Sequence, residues 1–177
     1  QFSFGKFVMW KDLTERMDAV AASPIIRHLI ERSGRYDDGI AVFPAEEVAE
    51  HTDYSTLCCP LGADSSQLAA VVYSGMGKSF VLHGPPGTGK SQTITNIIAH
   101  NLWLGKRVLF VSEKRAALDV VYSRLAKLGL APFCLQLHSN KAGKAEVYAQ
   151  FKEALDVGQA AGGDGVATGA EGLDPKL

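Results

Sequence analysis

The stretch with the clearest chemical signal reads Phe80-Val81-Leu82-His83, then Gly84-Pro85-Pro86-Gly87-Thr88-Gly89-Lys90-Ser91. Gly84, Gly87 and Gly89 have no Cβ, so main-chain N–H groups there can approach an anion closely. Pro85 and Pro86 fix φ and stiffen the loop. Lys90 adds a mobile positive charge. Ser91 adds a hydroxyl of the kind that binds Mg²⁺, an ion that otherwise keeps water and phosphate oxygens. Ile94, Ile97, Ile98 and Leu102 follow at steps of three and four, a helical pattern. An apolar run, a glycine loop ending in Lys-Ser and a helix form the setting in which G-x-x-x-x-G-K-[ST] binds phosphate. The helix N-terminus then faces the anion with its unpaired N–H groups and positive dipole end. The spacing therefore predicts nucleotide binding by residues from Gly84 to Gln92. Lys90 and Ser91 are the catalytic candidates, and Ser91 is the Mg²⁺ ligand.

Other elements must hold this loop. Ala63-Asp64-Ser65-Ser66-Gln67 opens a helix through about Ser74, with Asp64 or Ser65 as its cap. Its first turn can bring Gln67 near a bound base, although a Gln at a helix start is by itself usually just exposed. After the loop helix, Arg107 to Ser112 is a short apolar run of strand type. A helix from about Arg115 to Leu128 carries Leu118, Val121, Leu125 and Leu128, and Gly129 closes it. Phe133 to Leu137 reads as a third strand, and Ala142 to about Asp156 as a further helix. Strand–helix–strand–helix–strand–helix predicts an α/β fold with a parallel sheet and right-handed crossovers.

The first third is helical and irregular. Phe7, Trp10, Leu13, Met17 and Val20 form a stripe over 4–20, and Ser23-Pro24 starts a second helix that stops at Ser33-Gly34. Pro44 to Val48 suits a short helix. At the other end, ten of the 22 residues 156–177 are Gly or Ala, a composition that predicts a linker or tail. The expected division is a segment over 1–60, a nucleotide-binding lobe over 61–156 and a flexible tail over 157–177.

Charge is unevenly spread. Residues 1–83 carry 7 Lys/Arg against 11 Asp/Glu, a net −4. Residues 84–152 carry 10 against 3, a net +7. Residues 153–177 carry 1 against 5, again −4, and the whole chain sums to −1. The basic block suits nucleotide phosphates, a nucleic-acid backbone or solvated helix faces. Cys58, Cys59 and Cys134 are odd in number and lack metal-ligand spacing, which points to apolar thiols in a reducing, cytoplasmic compartment. No run of about 18 apolar residues exists, so no membrane helix is expected. The N-terminus has no signal-peptide pattern. It begins at Gln1 rather than Met, as expected of a chain excised from something longer.

These pieces together resemble superfamily 1 DNA/RNA helicases, over about Leu61 to Ala154. Ala63 to Leu68 looks like their Q motif, and Gly84 to Ser91 resembles motif I. Val111-Ser112-Glu113-Lys114-Arg115-Ala116-Ala117-Leu118-Asp119 resembles motif Ia of the RNA-decay and replication-maturation branch. His138-Ser139-Asn140-Lys141 is similar to a segment after the third strand in large bacterial members. The first helices resemble the end of the domain that precedes the motor there. The resemblance implies part of a first RecA-like lobe using ATP and Mg²⁺, with Gln67 on the adenine edge. It places Ser112, Lys114 and Arg115 on the side facing single-stranded DNA or RNA, with Asn140 and Lys141 as further contacts. A second RecA-like lobe of the same motor would be the protein partner.

Departures from that pattern matter. No apolar strand ending in Asp-Glu follows motif I, and Asp119, Glu146, Glu153 and Asp156 all fall on predicted helices. The carboxylate pair that holds Mg²⁺ and activates water is missing, as is an arginine finger, and phosphoryl transfer depends on such charge stabilisation. The family's sheet also sets later strands beside Phe80–His83, so open strand edges are expected. The expectation is weak ATP binding without turnover. Two other readings remain: an AAA+ ATPase, which shares Gly-Pro-Pro-Gly-Thr-Gly-Lys, and a nucleotide-binding switch that never hydrolyses.

Overall fold

The computed structural model describes residues 4–31, 34, 36–137 and 144–161. Its helices are α1 (Phe4–Glu15), α2 (Met17–Ala22), α3 (Pro24–Glu31), α4 (Ser65–Met76), α5 (Lys90–Trp103), α6 (Arg115–Lys127) and α7 (Lys144–Ala161), with a 3-10 turn at Ala131–Phe133. The chain divides into two compact units, Gln1–Ala41 and Val42–Leu177.

In the first unit the expected helix over 4–20 is broken at Arg16, whose φ of −111° and ψ of 18° leave the helical region. Ser23 ends α2 in an extended conformation, and its carbonyl then accepts from Arg27 N–H at 2.9 Å to start α3. Pro24 costs that first turn nothing, since its missing N–H would have had no partner there. No described side chain of α1–α3 is buried.

The second unit is built on α4, α5 and α6. Asp64 caps α4 in a full capping box: its carboxylate accepts from Gln67 N–H while Asp64 N–H donates to the Gln67 side chain. Gly77 closes α4 in the left-handed region, at φ 83°. One face of α4 buries Ala69 and Tyr73 against Val48, with Phe43, Ala45 and Val72 beside them. The Tyr73 hydroxyl accepts from Phe43 N–H at 2.8 Å and donates to Phe43 O. Residues 44–51 lie on that face as a run of turns rather than the short helix expected. Between α5 and α6 a second core gathers Ile98, Val121 and Leu125, flanked by Ile94, Leu102, Phe110, Leu130 and Cys134. Of the stripes read from the sequence, Ile94, Ile98 and Leu102 on α5 and Val121 and Leu125 on α6 join this core. Helix α7 runs on to Ala161, past the expected end near Asp156.

The expected α/β fold with a parallel sheet is overturned: the described residues contain no strand. Phe80–His83, Arg107–Ser112 and Cys134–Leu137 have no regular structure. The cause is that a strand is a pairing, not a property of one segment. Without a hydrogen-bonded neighbour, β-branched and aromatic composition does not make a ladder. Exposure marks the same failure: Val81 is 81% exposed, Leu109 88% and Leu137 67%. Only Phe110 and Cys134 of these runs turn into the α5–α6 core.

Candidate functional site

The site is the Gly84–Ser91 loop with the residues that grip it. Gly89 is the N-cap of α5 and sits at φ 73°, a left-handed angle that a Cβ would strain. A Cβ there would also come within 2.9 Å of the Gln67 side-chain nitrogen. Thr88 folds the loop, its hydroxyl donating to Pro85 O at 2.8 Å. Gly89 O accepts from Gln92 N–H and Thr93 N–H, which starts the helix. Among the described residues, the N–H groups of Gly87, Gly89, Lys90 and Ser91 have no backbone partner. These unspent donors at the N-terminus of a 14-residue helix fit an anion. The Lys90 ammonium lies on the loop, donating to Gly84 O at 2.6 Å and Pro85 O at 2.8 Å. A phosphate oxygen would offer it a stronger, charge-assisted bond.

Gln67 reaches this loop from α4. Its side-chain oxygen accepts from Asp64 N–H at 3.1 Å, and its nitrogen donates to Thr88 O at 2.9 Å. A carboxamide has two donors and two acceptor lone pairs. One donor and one lone pair of Gln67 are therefore still unspent.

A segment over residues 58–62 runs along α5, held by polar side chains of which the sequence reading singled out only Gln92, and for another role. Gln92 donates to Gly62 O. Asn96 accepts from Leu61 N–H at 3.0 Å and donates to Leu61 O at 2.9 Å. His100 Nδ1 accepts from Cys58 N–H at 3.3 Å. The three lie four residues apart, on one face of α5. Gln92, expected among the nucleotide-binding residues, thus has its side chain on this segment. Nothing in the sequence marks Asn96 as buried, yet it is 0% exposed on a helix whose other buried polar residues are Thr93, Thr95, His100 and Asn101. Each of these needs a partner to be tolerated. Asn101 has Ser74 Oγ at 2.9 Å, and Thr95 has Ser91 O at 2.7 Å. Burial, and then the nearby Lys106 charge, hold His100 below its ordinary titration range. That leaves Nδ1 free to accept.

Ser91 is half-buried, and its hydroxyl makes no hydrogen bond among the described residues, so it fits the role of metal ligand. No group of three His, Cys, Asp or Glu able to hold a metal occurs among the described residues. Any Mg²⁺ here would therefore depend on Ser91, phosphate and water. Cys58, Cys59 and Cys134 are free and only partly buried, with burial pushing each thiol up. The nucleic-acid candidates are set apart on the approach to α6. Ser112 Oγ and Lys114 bond each other at 3.3 Å, and both Lys114 and Arg115 are exposed. Arg115 pairs loosely with Asp119 at 3.6 Å. Asn140 and Lys141 lie outside the described residues.

The family described as AAA domain matches residues 62–150, half of the chain. The chain belongs to that family. The AAA domain span runs from the segment bonded by Gln92, through the loop, and into α7. Among curated proteins, the uncharacterized ATP-dependent helicase MG140 of Mycoplasma genitalium is 49% identical over 73 residues, covering 41% of this chain and 6% of that protein. The DNA-binding protein SMUBP-2 of Rattus norvegicus is 37% identical over 84 residues, 47% of this chain and 8% of that protein. The DNA polymerase alpha-associated DNA helicase A of Schizosaccharomyces pombe is 37% identical over 68 residues, 38% of this chain and 10% of that protein. The AAA domain chain thus aligns with at most a tenth of the length of these relatives. No solved structure matches it. No helix among the described residues is long and apolar enough to cross a membrane.

Proposed function

We propose that this AAA domain chain is the ATP-binding part of an ATP-dependent superfamily 1 helicase or translocase of the RNA-decay and replication-maturation branch. One observation carries the reading: the loop offers unspent N–H groups at Gly87, Gly89, Lys90 and Ser91 beside the Lys90 ammonium and the Ser91 hydroxyl. Gly84 to Ser91 bind the phosphates, and Ser91 holds Mg²⁺. Gln67 reads the base, because its remaining donor and acceptor match the N7 acceptor and N6 donor of adenine. The helicase names of the Mycoplasma genitalium and Schizosaccharomyces pombe relatives support the motor class.

Single-stranded DNA or RNA is the second ligand of the intact motor, with Ser112, Lys114, Arg115, Asn140 and Lys141 as its contacts. The basic block over 84–152 supports this, and so does the exposure of Lys114 and Arg115. The remainder of the motor supplies the missing acidic pair, and a second motor lobe is its further partner. The three free cysteines fit a cytoplasmic setting. By itself the chain binds ATP weakly and does not turn it over.

The test is a titration of the chain with a fluorescent ATP analogue and Mg²⁺, beside Lys90→Ala. Binding that weakens by about ten-fold or more in the variant is expected, the loss of one charge-assisted contact. Binding that ignores Lys90 would overturn the site. Multiple ATP turnovers by this chain, abolished by Lys90→Ala, would overturn its dependence on the rest of the motor. For the intact motor, ATPase activity that no DNA or RNA oligomer stimulates would favour the AAA+ ATPase, and no ATPase activity at all would favour the non-hydrolysing switch.

A further inference from the structure

The residues holding 58–62 join into a closed circuit around the phosphate loop. The Asn96 carboxamide, fully buried on α5, bonds both the N–H and the C=O of Leu61. That is the bonding one residue of a strand gives its neighbour, supplied here by a side chain. Gln92, one turn nearer the loop, bonds the next carbonyl, Gly62 O. Two residues further on, Asp64 N–H and its carboxylate hold Gln67 from both sides. Gln67 then bonds Thr88 O, and Thr88 leads through Gly89 back into α5. Every link is a hydrogen bond or a few covalent steps, so the Leu61 anchor on α5 is one of the ties that fix Gln67, beside the Gln92 bond to Gly62 and the Asn101–Ser74 bond between α5 and α4.

We propose that Asn96 is a positioning residue for base recognition: it anchors Leu61 on the loop helix and thereby holds the unspent face of the Gln67 carboxamide at the nucleotide. The inference rests on the nucleotide reading above. Asn96 touches no phosphate position. Lys90, Ser91 and the α5 N-terminus do not depend on the Leu61 bonds. Loss of Asn96 therefore separates the two halves of the ligand. Contacts to the base loosen while contacts to the phosphates persist.

Asn96→Leu keeps the shape but leaves both Leu61 groups without partners, and Asn96→Asp keeps the acceptor while losing the donor. Each is compared with the original chain for binding of ATP, GTP and inorganic tripolyphosphate, with folding checked by circular dichroism. For Asn96→Leu, ATP affinity falls about ten-fold and the preference for ATP over GTP collapses, while tripolyphosphate affinity stays within about two-fold. Asn96→Asp retains part of the preference. Gln67→Ala gives the same pattern, and the double variant is no worse than either single one, since both act on one contact. Equal loss of ATP and tripolyphosphate binding, or unchanged discrimination in a folded Asn96→Leu, overturns the role of Asn96. If the original chain binds neither ATP nor tripolyphosphate, the nucleotide reading itself fails. A measurement without ligand guards against misfolding: hydrogen exchange at the Leu61 and Gln67 amides rises together in Asn96→Leu. Faster exchange at Leu61 with Gln67 unchanged breaks the circuit and overturns the proposal.

Discussion

Gln67 uses each part of its peptide and side chain differently. Its N–H is spent on the Asp64 carboxylate at 2.8 Å, its side-chain oxygen on Asp64 N–H, and its side-chain nitrogen on Thr88 O. Gln67→Glu keeps both cap bonds but turns a carboxylate oxygen toward the Thr88 carbonyl. We expect it to unfold at nearly the same urea concentration as the original chain while binding an ATP analogue about ten-fold more weakly. Gln67→Ala removes one cap bond as well and loses about 1 kcal/mol of stability in the same urea titration. Gly89 is less forgiving. Gly89→Ala places a Cβ at φ 73°, 2.9 Å from the Gln67 nitrogen, so a loss of at least about 1 kcal/mol and of analogue binding is expected. At this scale the sequence was most legible where spacing alone defines local geometry. Glycines and Lys-Ser at fixed steps name the loop, and Asp64 and Gln67 stand at capping-box spacing. The bond from Gln67 to Thr88 was not legible, because it spans 21 residues and depends on how α4 lies against α5.

Helices α4, α5 and α6 were legible because apolar residues recur with the helical period and because Asp64, Gly77 and Gly129 punctuate them. The polar face of α5 was not, since Gln92, Asn96, His100 and Asn101 look like solvent-facing residues until their partners are known. Three apolar runs with strand composition failed for the converse reason: pairing is decided by a neighbour, and composition does not carry it. Two predictions belong to these elements. Asp64→Ala removes the α4 cap, and a loss of about 1 kcal/mol in thermal or urea unfolding is expected. His100 concerns pH. In the folded chain its imidazole titrates below the ordinary 6.5, through burial first and Lys106 second. The unfolded chain takes up the proton near pH 6.5, while the folded chain does so only at lower pH. Stability from neutral His100 is therefore complete above about 6.5 and is lost as pH falls from there toward the folded value. Urea midpoints measured between about pH 7.5 and 5.5 should fall with acid, and fall less steeply in His100→Asn, which keeps an acceptor for Cys58 N–H without titrating.

For the whole molecule the decisive fact is where the cores lie. Val48, Ala69 and Tyr73 make one, and Ile98, Val121 and Leu125 the other, so both belong to the unit that starts at Val42. The first unit buries no described side chain on α1, α2 or α3, and Phe7, Trp10 and Met17 are all more than half exposed. Cooperative unfolding and its urea dependence follow the surface buried on folding. Removing residues 1–41 should accordingly leave the urea midpoint of residues 42–177 almost unchanged and the slope of the transition little reduced. Analogue binding should stay within about two-fold of the full chain, because the loop, Gln67, Asn96 and the 58–62 segment all remain. The opposite result would be a shortened chain that unfolds without a cooperative transition, or that loses Lys90-dependent binding. Either outcome would mean that α1–α3 stabilise the nucleotide site in a way that the burial pattern does not explain.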